Sequence, residues 1–284
     1  MTPNQLKNSI LQLAIQGKLT EEFRAQSEEH REDPFSQPNG CQLPQQQSFW
    51  GASSLAPTRS APKKLGKVSR SDERGLIDLS AEELLKQIQA EKAELIKQGK
   101  LKKEKPLPPI KEEEIPFDIP DTWRWVRFGD AIKLTSGQDL QPSQYNDKND
   151  GIPYLTGASN IDNEQVVINR WTPEPRSYAY KGDLLLTCKG TVGKTAILKE
   201  EKVHIARQIM AIRLICGLDI KYVEAFIKSQ IEHLKNNAKS IIPGIERNKV
   251  LNLVFPLPPL NEQQAIVTKI EKLFSLANTL TNKV

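Results

Sequence analysis

Ile209-Met210-Ala211-Ile212-Arg213-Leu214-Ile215-Cys216-Gly217, followed closely by the run from Ile220 to Asn236, holds the two patterns that decide the fold. The first is a short apolar segment stopped by glycine, which is the length and punctuation of a strand. The second places Tyr222, Val223, Phe226, Ile227, Ile231 and Leu234 on helical spacing, so that they share one face of a helix. Together they predict an α+β domain in which at least one helix packs on strands. Upstream, more short apolar segments lie between Gly, Pro, Asn and Asp: Trp125 to Phe128, Ile152 to Leu155, Val166 to Ile168, Asp183 to Thr187 and Thr195 to Leu198. These read as further strands of a compact β-rich domain. Downstream, Val250 to Phe255 reads as a returning strand that Pro256-Leu257-Pro258-Pro259 terminates. Glu262 to Leu280 then reads as a last helix, with Ile266, Ile270, Leu273, Ala277 and Leu280 alternating by four and three.

Towards the N-terminus the composition changes sharply. Phe117-Asp118-Ile119-Pro120-Asp121-Thr122-Trp123-Arg124-Trp125 marks the entry into the folded domain, after Pro106-Leu107-Pro108-Pro109 breaks the preceding helix. That helix starts at Ser80, whose side chain with Glu83 forms a capping box, and ends before Gly99; Leu84, Leu85, Ile88, Leu95 and Ile96 make its apolar stripe. A shorter amphipathic helix carries Leu6, Ile10, Leu13 and Ala14 and stops at Gly17-Lys18, and its stripe would pack either on its own domain or on a partner. Between the two, from about Ser27 to Arg74, Gln, Pro, Ser and charge predominate and aliphatic residues are sparse. Such a stretch buries too little to offset the entropy of ordering, and a flexible linker is expected.

The 284 residues leave room for one or two domains. Forty Lys and Arg against 35 Asp and Glu give a formal charge of +5, an excess that permits polyanion binding without demanding it. Cys41, Cys188 and Cys216 are odd in number and scattered, and no secretory signal precedes them, so no disulfide framework and a cytoplasmic location are expected. His30, His204 and His233 lack metal-ligand spacing, and no metal site is expected. No apolar run reaches the roughly 18 residues that would span a bilayer, so no membrane association is expected.

One motif invites a catalytic reading. Cys188-Lys189-Gly190-Thr191-Val192-Gly193-Lys194-Thr195 ends like a phosphate-binding loop, but the first glycine of that motif would fall on Cys188, and Ala196 to Leu198 reads as strand where a helix is required. A β-turn is the better reading, and no other catalytic constellation is present, so a non-catalytic chain is expected. The loops instead carry side chains suited to base edges and phosphates: Gln138, Thr156, Ser159, Asn160, Lys189, Thr191, Lys194, Arg207, Gln208, Lys239, Ser240 and Arg247. Arg pairs with guanine and Asn or Gln with adenine, while Lys and hydroxyls suit phosphates. Each of these residues also suits an ordinary turn or cap.

Three stretches resemble the specificity subunits of type I restriction-modification systems. They are Leu6-Lys7-Asn8-Ser9-Ile10-Leu11-Gln12-Leu13-Ala14-Ile15-Gln16-Gly17-Lys18-Leu19-Thr20, then Ala90 to Lys100 with Phe117-Asp118-Ile119-Pro120, and Phe255-Pro256-Leu257-Pro258-Pro259-Leu260-Asn261-Glu262-Gln263-Gln264-Ala265-Ile266-Val267. The resemblance implies one β-rich target-recognition domain over residues 117–260. Around it would lie spacer or dimerisation helices at 1–26, 79–116 and 261–284, with the linker at 27–78. Such subunits usually carry two recognition domains; this chain has one, so two copies would rebuild the usual arrangement. The implied partners are duplex DNA, a methyltransferase subunit that brings S-adenosylmethionine, a second copy of the chain and, indirectly, an ATP- and Mg-dependent restriction subunit; no cofactor is expected on this chain. The helix stripes Leu6, Ile10, Leu13, Leu84, Ile88, Leu95, Ile266, Ile270, Leu273 and Ala277 would face those partners. Two alternatives use the same residues differently: a decoy that occupies methyltransferase subunits without reading DNA, and a phosphate-loop enzyme at Gly190 to Thr195.

Overall fold

A computed structural model describes residues 2–32, 79–236 and 244–281. Of the expected linker, residues 27–32 are described and continue a helix, Glu21–Glu32, instead of opening the linker; the rest of it, and Lys239 and Ser240 among the candidate site residues, lie outside the described residues. The chain divides into two compact units, one made of Met1–Arg24 with Asp78–Val284 and the other of Ala25–Ile77. The first unit carries everything discussed below.

In chain order the elements are α1 (Pro3–Ile15), α2 (Glu21–Glu32), α3 (Ala81–Lys97), β1 (Arg124–Arg127), α4 (Phe128–Ala131) and β2 (Ile132–Ser136). There follow β3 (Ile152–Leu155), β4 (Ile161–Asp162), β5 (Gln165–Val166), β6 (Trp171–Thr172) and β7 (Tyr178–Tyr180). The last are β8 (Leu184–Thr187), β9 (Thr195–Ile197), β10 (Lys202–Ile205), β11 (Ile209–Leu214), α5 (Ile220–Asn236), α6 (Arg247–Leu251), β12 (Val254–Leu257) and α7 (Leu260–Thr281). Capping boxes start α1 at Thr2 with Gln5 and α3 at Ser80 with Glu83. The fold is α+β.

Two four-stranded sheets form the centre, in the orders β2-β11-β8-β9 and β6-β3-β10-β7. The first is antiparallel throughout; in the second, β10 runs parallel to β3. Alternation along the first sheet divides its side chains between two cores. Leu134, Leu184, Leu186, Met210 and Ile212 join the helices, while Leu185, Ile209 and Ala211 join Leu155, Ala179, Val203 and Ile205 of the second sheet. With both faces covered, β8 and β11 read in sequence as continuous apolar runs rather than as alternating ones.

The helices expected as external spacers build that first core. Ile10, Leu11, Ala14 and Ile15 of α1, Leu84 and Ile88 of α3, and Ile266 and Ile270 of α7 are buried in it beside Phe226 and Phe255. Of the stripe expected to face partners, Ile10, Leu84, Ile88, Ile266, Ile270 and Ala277 are therefore buried within the chain. Leu6, Leu95 and Leu273 remain half-buried and Leu13 exposed. The reason is area: a free apolar helix face finds cover on the nearest sheet before it finds a partner.

Glu262 and Gln263 tie this assembly together. The Glu262 carboxylate, 2% exposed, accepts from Thr20 Oγ1 at 2.7 Å, Arg24 Nη1 at 2.5 Å and Trp123 Nε1 at 2.7 Å. Gln263 accepts from the Asp219 N–H and donates to the Pro258 carbonyl. The Pro-rich entry is pinned by buried Arg127, which donates to the carbonyls of Pro108, Pro109 and Asn252 and pairs with Glu114, whose carboxyl it holds below the usual range.

One expectation, a strand from Val250 to Phe255, changes at the C-terminal side. Val250 and Leu251 belong to α6, not to a strand; the strand begins at Val254 and pairs antiparallel with β1. Leu253 accepts from the Phe128 N–H, so the bend at Asn252 seats the end of β1.

Candidate functional site

The loop face starts at the end of β2. A Cβ on Gly137 would lie 2.0 Å from the Ala206 carbonyl oxygen, so only glycine lets these backbones approach. The Gly137 and Gln138 N–H groups donate to the Ile209 and Ile205 carbonyls, bringing the β2–β3 loop against the β10–β11 turn. His204 locks the same loop from beneath. Its Nδ1 accepts from the Arg176 and Ser177 N–H groups, which leaves Nε2–H to donate to the Gln138 carbonyl at 2.9 Å. Those partners define the neutral tautomer, and burial pushes its pKa below the ordinary histidine value. The Tyr154 ring lies tilted, 4.9 Å from His204, and its hydroxyl accepts from the Leu140 N–H, with Tyr145 beyond it.

A second loop follows β3. Asn160, fully buried, accepts from the Thr156 N–H, the Thr156 hydroxyl and the Gly157 N–H, and donates to the Val167 carbonyl and Asn169. Asn160 and the Thr156 hydroxyl are thus an internal staple, a correction to their expected reading role. Ser159 is exposed on the loop they hold.

The third loop is the hairpin between β8 and β9. A strand follows Gly193, where a phosphate loop would need a helix. Gly190 and Gly193 have φ of 71° and 93°, and a Cβ on Gly193 would meet Ile231 of α5 at 2.7 Å. Lys189 and Thr191 are exposed; the Lys194 ammonium donates to the carbonyls of Ala158 and Ile161, which joins this hairpin to the second loop. Burial raises the Cys188 thiol to about 11.

The β10–β11 turn completes the face. The Arg207 side chain is 64% exposed, and its Nε lies 2.6 Å from Asp139 Oδ2. The Gln208 amide, turned so that its nitrogen faces oxygen, donates to Asp139 Oδ1 and the Thr156 carbonyl, both at 3.1 Å. The Gln208 carbonyl accepts from the Cys188 N–H. Gln138, Thr156, Ser159, Asn160, Lys189, Thr191, Lys194, Arg207 and Gln208 therefore gather on four adjoining loops. Arg247 lies at the margin, held by the Leu134 carbonyl, by Glu104 and, at 3.5 Å, by the Ser136 hydroxyl, so its role is first to position β2. Sequence reading passed over Asp139 and His204, since an acidic residue and a buried imidazole carry no signal for a polyanion surface.

Among the described residues no group of three or more His, Cys, Asp or Glu could hold a metal ion, and no helix is long and apolar enough to cross a membrane. The described residues of the face offer hydrogen-bond donors, acceptors and cations.

A family profile, "Type I restriction modification DNA specificity domain", matches residues 120–284. The chain is 27% identical over 226 residues to the EcoEI specificity subunit of Escherichia coli, covering 73% of this chain and 38% of that protein. It is 31% identical over 222 residues to the EcoAI specificity subunit of Escherichia coli, covering 72% and 36%. The match thus spans well under half the length of these relatives. Among solved structures, the HsdS subunit from Thermoanaerobacter tengcongensis is similar with a TM-score of 0.53 at 26% identity, over 60% of this chain and 43% of that one. A chain from a type I R-M system, solved in work on complex assembly and conformational transition, is similar with a TM-score of 0.54 at 26% identity, over 72% and 48%.

Proposed function

The chain belongs to the type I restriction modification DNA specificity family, and from that premise we propose that its four-loop face reads duplex DNA by sequence for subunits that do the chemistry. The observation that carries this reading is the convergence of exposed Gln138, Ser159, Lys189, Thr191 and Arg207 on one face, over loops fixed by Gly137, Asn160 and His204. Rigid loops holding amides, hydroxyls and cations suit base edges and phosphates together, because discrimination requires donors held in place before the DNA arrives.

The partner reading follows from family and length. The partners are a methyltransferase subunit carrying S-adenosylmethionine and, through the complex, an ATP- and Mg-dependent restriction subunit, all acting on DNA in the cytoplasm. With one reading face on a chain that spans 36–38% of its E. coli relatives, two copies related by a two-fold axis supply two faces, and their target is a symmetric, interrupted site. Leu6, Leu13, Leu95 and Leu273 are what the helix stripes still offer to a second copy or to the methyltransferase. The test is co-expression with the methyltransferase subunit and single-molecule mapping of methylated adenines across the host genome. A symmetric interrupted motif is expected; an asymmetric one overturns the pairing of two copies, and no motif at all overturns DNA reading.

A further inference from the structure

Building on that DNA-reading role, we propose that Asp139 is a specificity-determining residue: it fixes Gln208 as an acceptor beside the donor edge of Arg207, so that the pair selects guanine next to an amino-bearing base, adenine or cytosine. The argument is one of hydrogen-bond polarity. A glutamine side chain brings two N–H donors and one carbonyl acceptor, and the usual two-bond pairing with adenine uses one of each. In Gln208 both donors are taken, by Asp139 Oδ1 and the Thr156 carbonyl oxygen. The opposite orientation would set the amide oxygen against a carboxylate and a carbonyl. Oε1 receives no hydrogen bond from any described residue, and it is the one group Gln208 has left for a base. An acceptor takes the exocyclic amino group of adenine or cytosine and rejects the carbonyl edges of guanine and thymine.

Arg207 is constrained by the same carboxylate. Asp139 holds its backbone N–H at 3.1 Å and its Nε edge at 2.6 Å, and the Nη end carries no partner among the described residues. That end presents paired donors, which match O6 and N7 of guanine. Arg207 and Gln208 are consecutive in a turn closed by the Ile209 N–H on the Ala206 carbonyl, so the two readers move as one body. A carboxylate on a face that meets phosphates weakens binding by its charge. Its presence here is explained by discrimination, which the geometry supports, rather than by affinity.

The test uses the chain in complex with its methyltransferase subunit, and a random-sequence duplex library from which retained duplexes are sequenced. For the native chain, an enriched motif containing guanine beside adenine or cytosine is expected. For Asp139→Asn, which frees the Gln208 amide to present either group, preference at that step is expected to fall roughly tenfold, with other motif positions unchanged and affinity for unselected duplex equal or higher. Gln208→Met, which keeps length and removes the acceptor, is expected to lose the preference for the amino-bearing base alone. An unchanged motif in both variants overturns the proposal. Uniform weakening at all positions also overturns it, since that is what a merely structural Asp139 would give. No enriched motif for the native chain overturns the DNA-reading role beneath it, which is a separable failure.

Discussion

Glu262 stands in the stretch that most resembles its family, and its side chain never reaches the loop face: it accepts hydrogen bonds from Thr20, Arg24 and Trp123 in the core. Removing a buried carboxylate leaves Arg24 without its counter-charge and the Trp123 N–H without its acceptor, which costs about 3–5 kcal/mol. Glu262→Ala is accordingly expected to lower the urea midpoint of the purified chain strongly, and a loss under 1 kcal/mol would show the clasp to be energetically idle. His204 gives a pH signature. Because its folded pKa is depressed, below the ordinary value near 6.5 the unfolded chain takes the proton first. Its stabilisation is therefore complete above that value and declines as pH falls from there towards the lowered folded value. Urea midpoints are expected to drop between pH 7.5 and 5.5 more steeply for the native chain than for His204→Asn; parallel profiles would remove the imidazole from the account. Cys188, its thiol raised to about 11 by burial, is expected to resist iodoacetamide at pH 8 until the chain is unfolded. At this scale the sequence supplies residue types but not their commitments. Asn160 and Gln208 look alike as amides, yet one is a buried staple and the other faces a carboxylate 69 positions upstream of it, a relation that local spacing does not encode.

Among the elements, those with a full period were legible and the short ones were not. The helix Ile220 to Asn236 and the strand Ile152 to Leu155 fall where their patterns place them. β4, β5 and β6 have two residues each, too few for any alternation, and they are defined by their partners across the sheet. β2 was missed because Lys133 and Thr135 interrupt its apolar positions, an alternation that marks one well-covered face. α6 was read as strand because Val250, Leu251, Leu253 and Val254 are uniformly apolar, and only the bend at Asn252 separates helix from strand. The β8–β9 hairpin carries its own prediction. Gly193→Ala places a Cβ at φ 93° against Ile231, strain on the order of 1–3 kcal/mol. Its expected outcome is a lower thermal midpoint together with weaker DNA retention, because the hairpin carries Lys189 and Thr191; an unchanged midpoint would mean that α5 yields to it.

For the molecule as a whole, the flanking helices belong to the core beneath the loop face, the intramolecular one of the two placements their stripes allowed. Ile10, Leu11 and Ile15 are each worth about 1.5–3 kcal/mol when buried, and together they approach the whole stability of about 5–15 kcal/mol usual for a domain. A fragment starting at residue 25 is therefore expected to lose cooperative unfolding by circular dichroism, rather than merely to lose a partner; a sharp transition at the native midpoint would return α1 to the role of an external spacer. The sequence announced α1 as amphipathic but not what it would cover, since any apolar stripe looks the same before its neighbour is known. Lys7 lies 5.7 Å over the Phe274 ring, and Asn4 and Asn278 line one groove, so the first helix begins where the last one ends. The compact unit is written in the gene as two separated pieces, yet its first and last helices adjoin at their outer ends. A permuted chain in which residues 78–284 run through a short linker into residues 2–24 would convert those pieces into one uninterrupted reading frame and is expected to melt cooperatively. Gene order then becomes a matter of where the unit is opened, and a tandem duplication would pass one copy's final helix directly into the opening helix of the next.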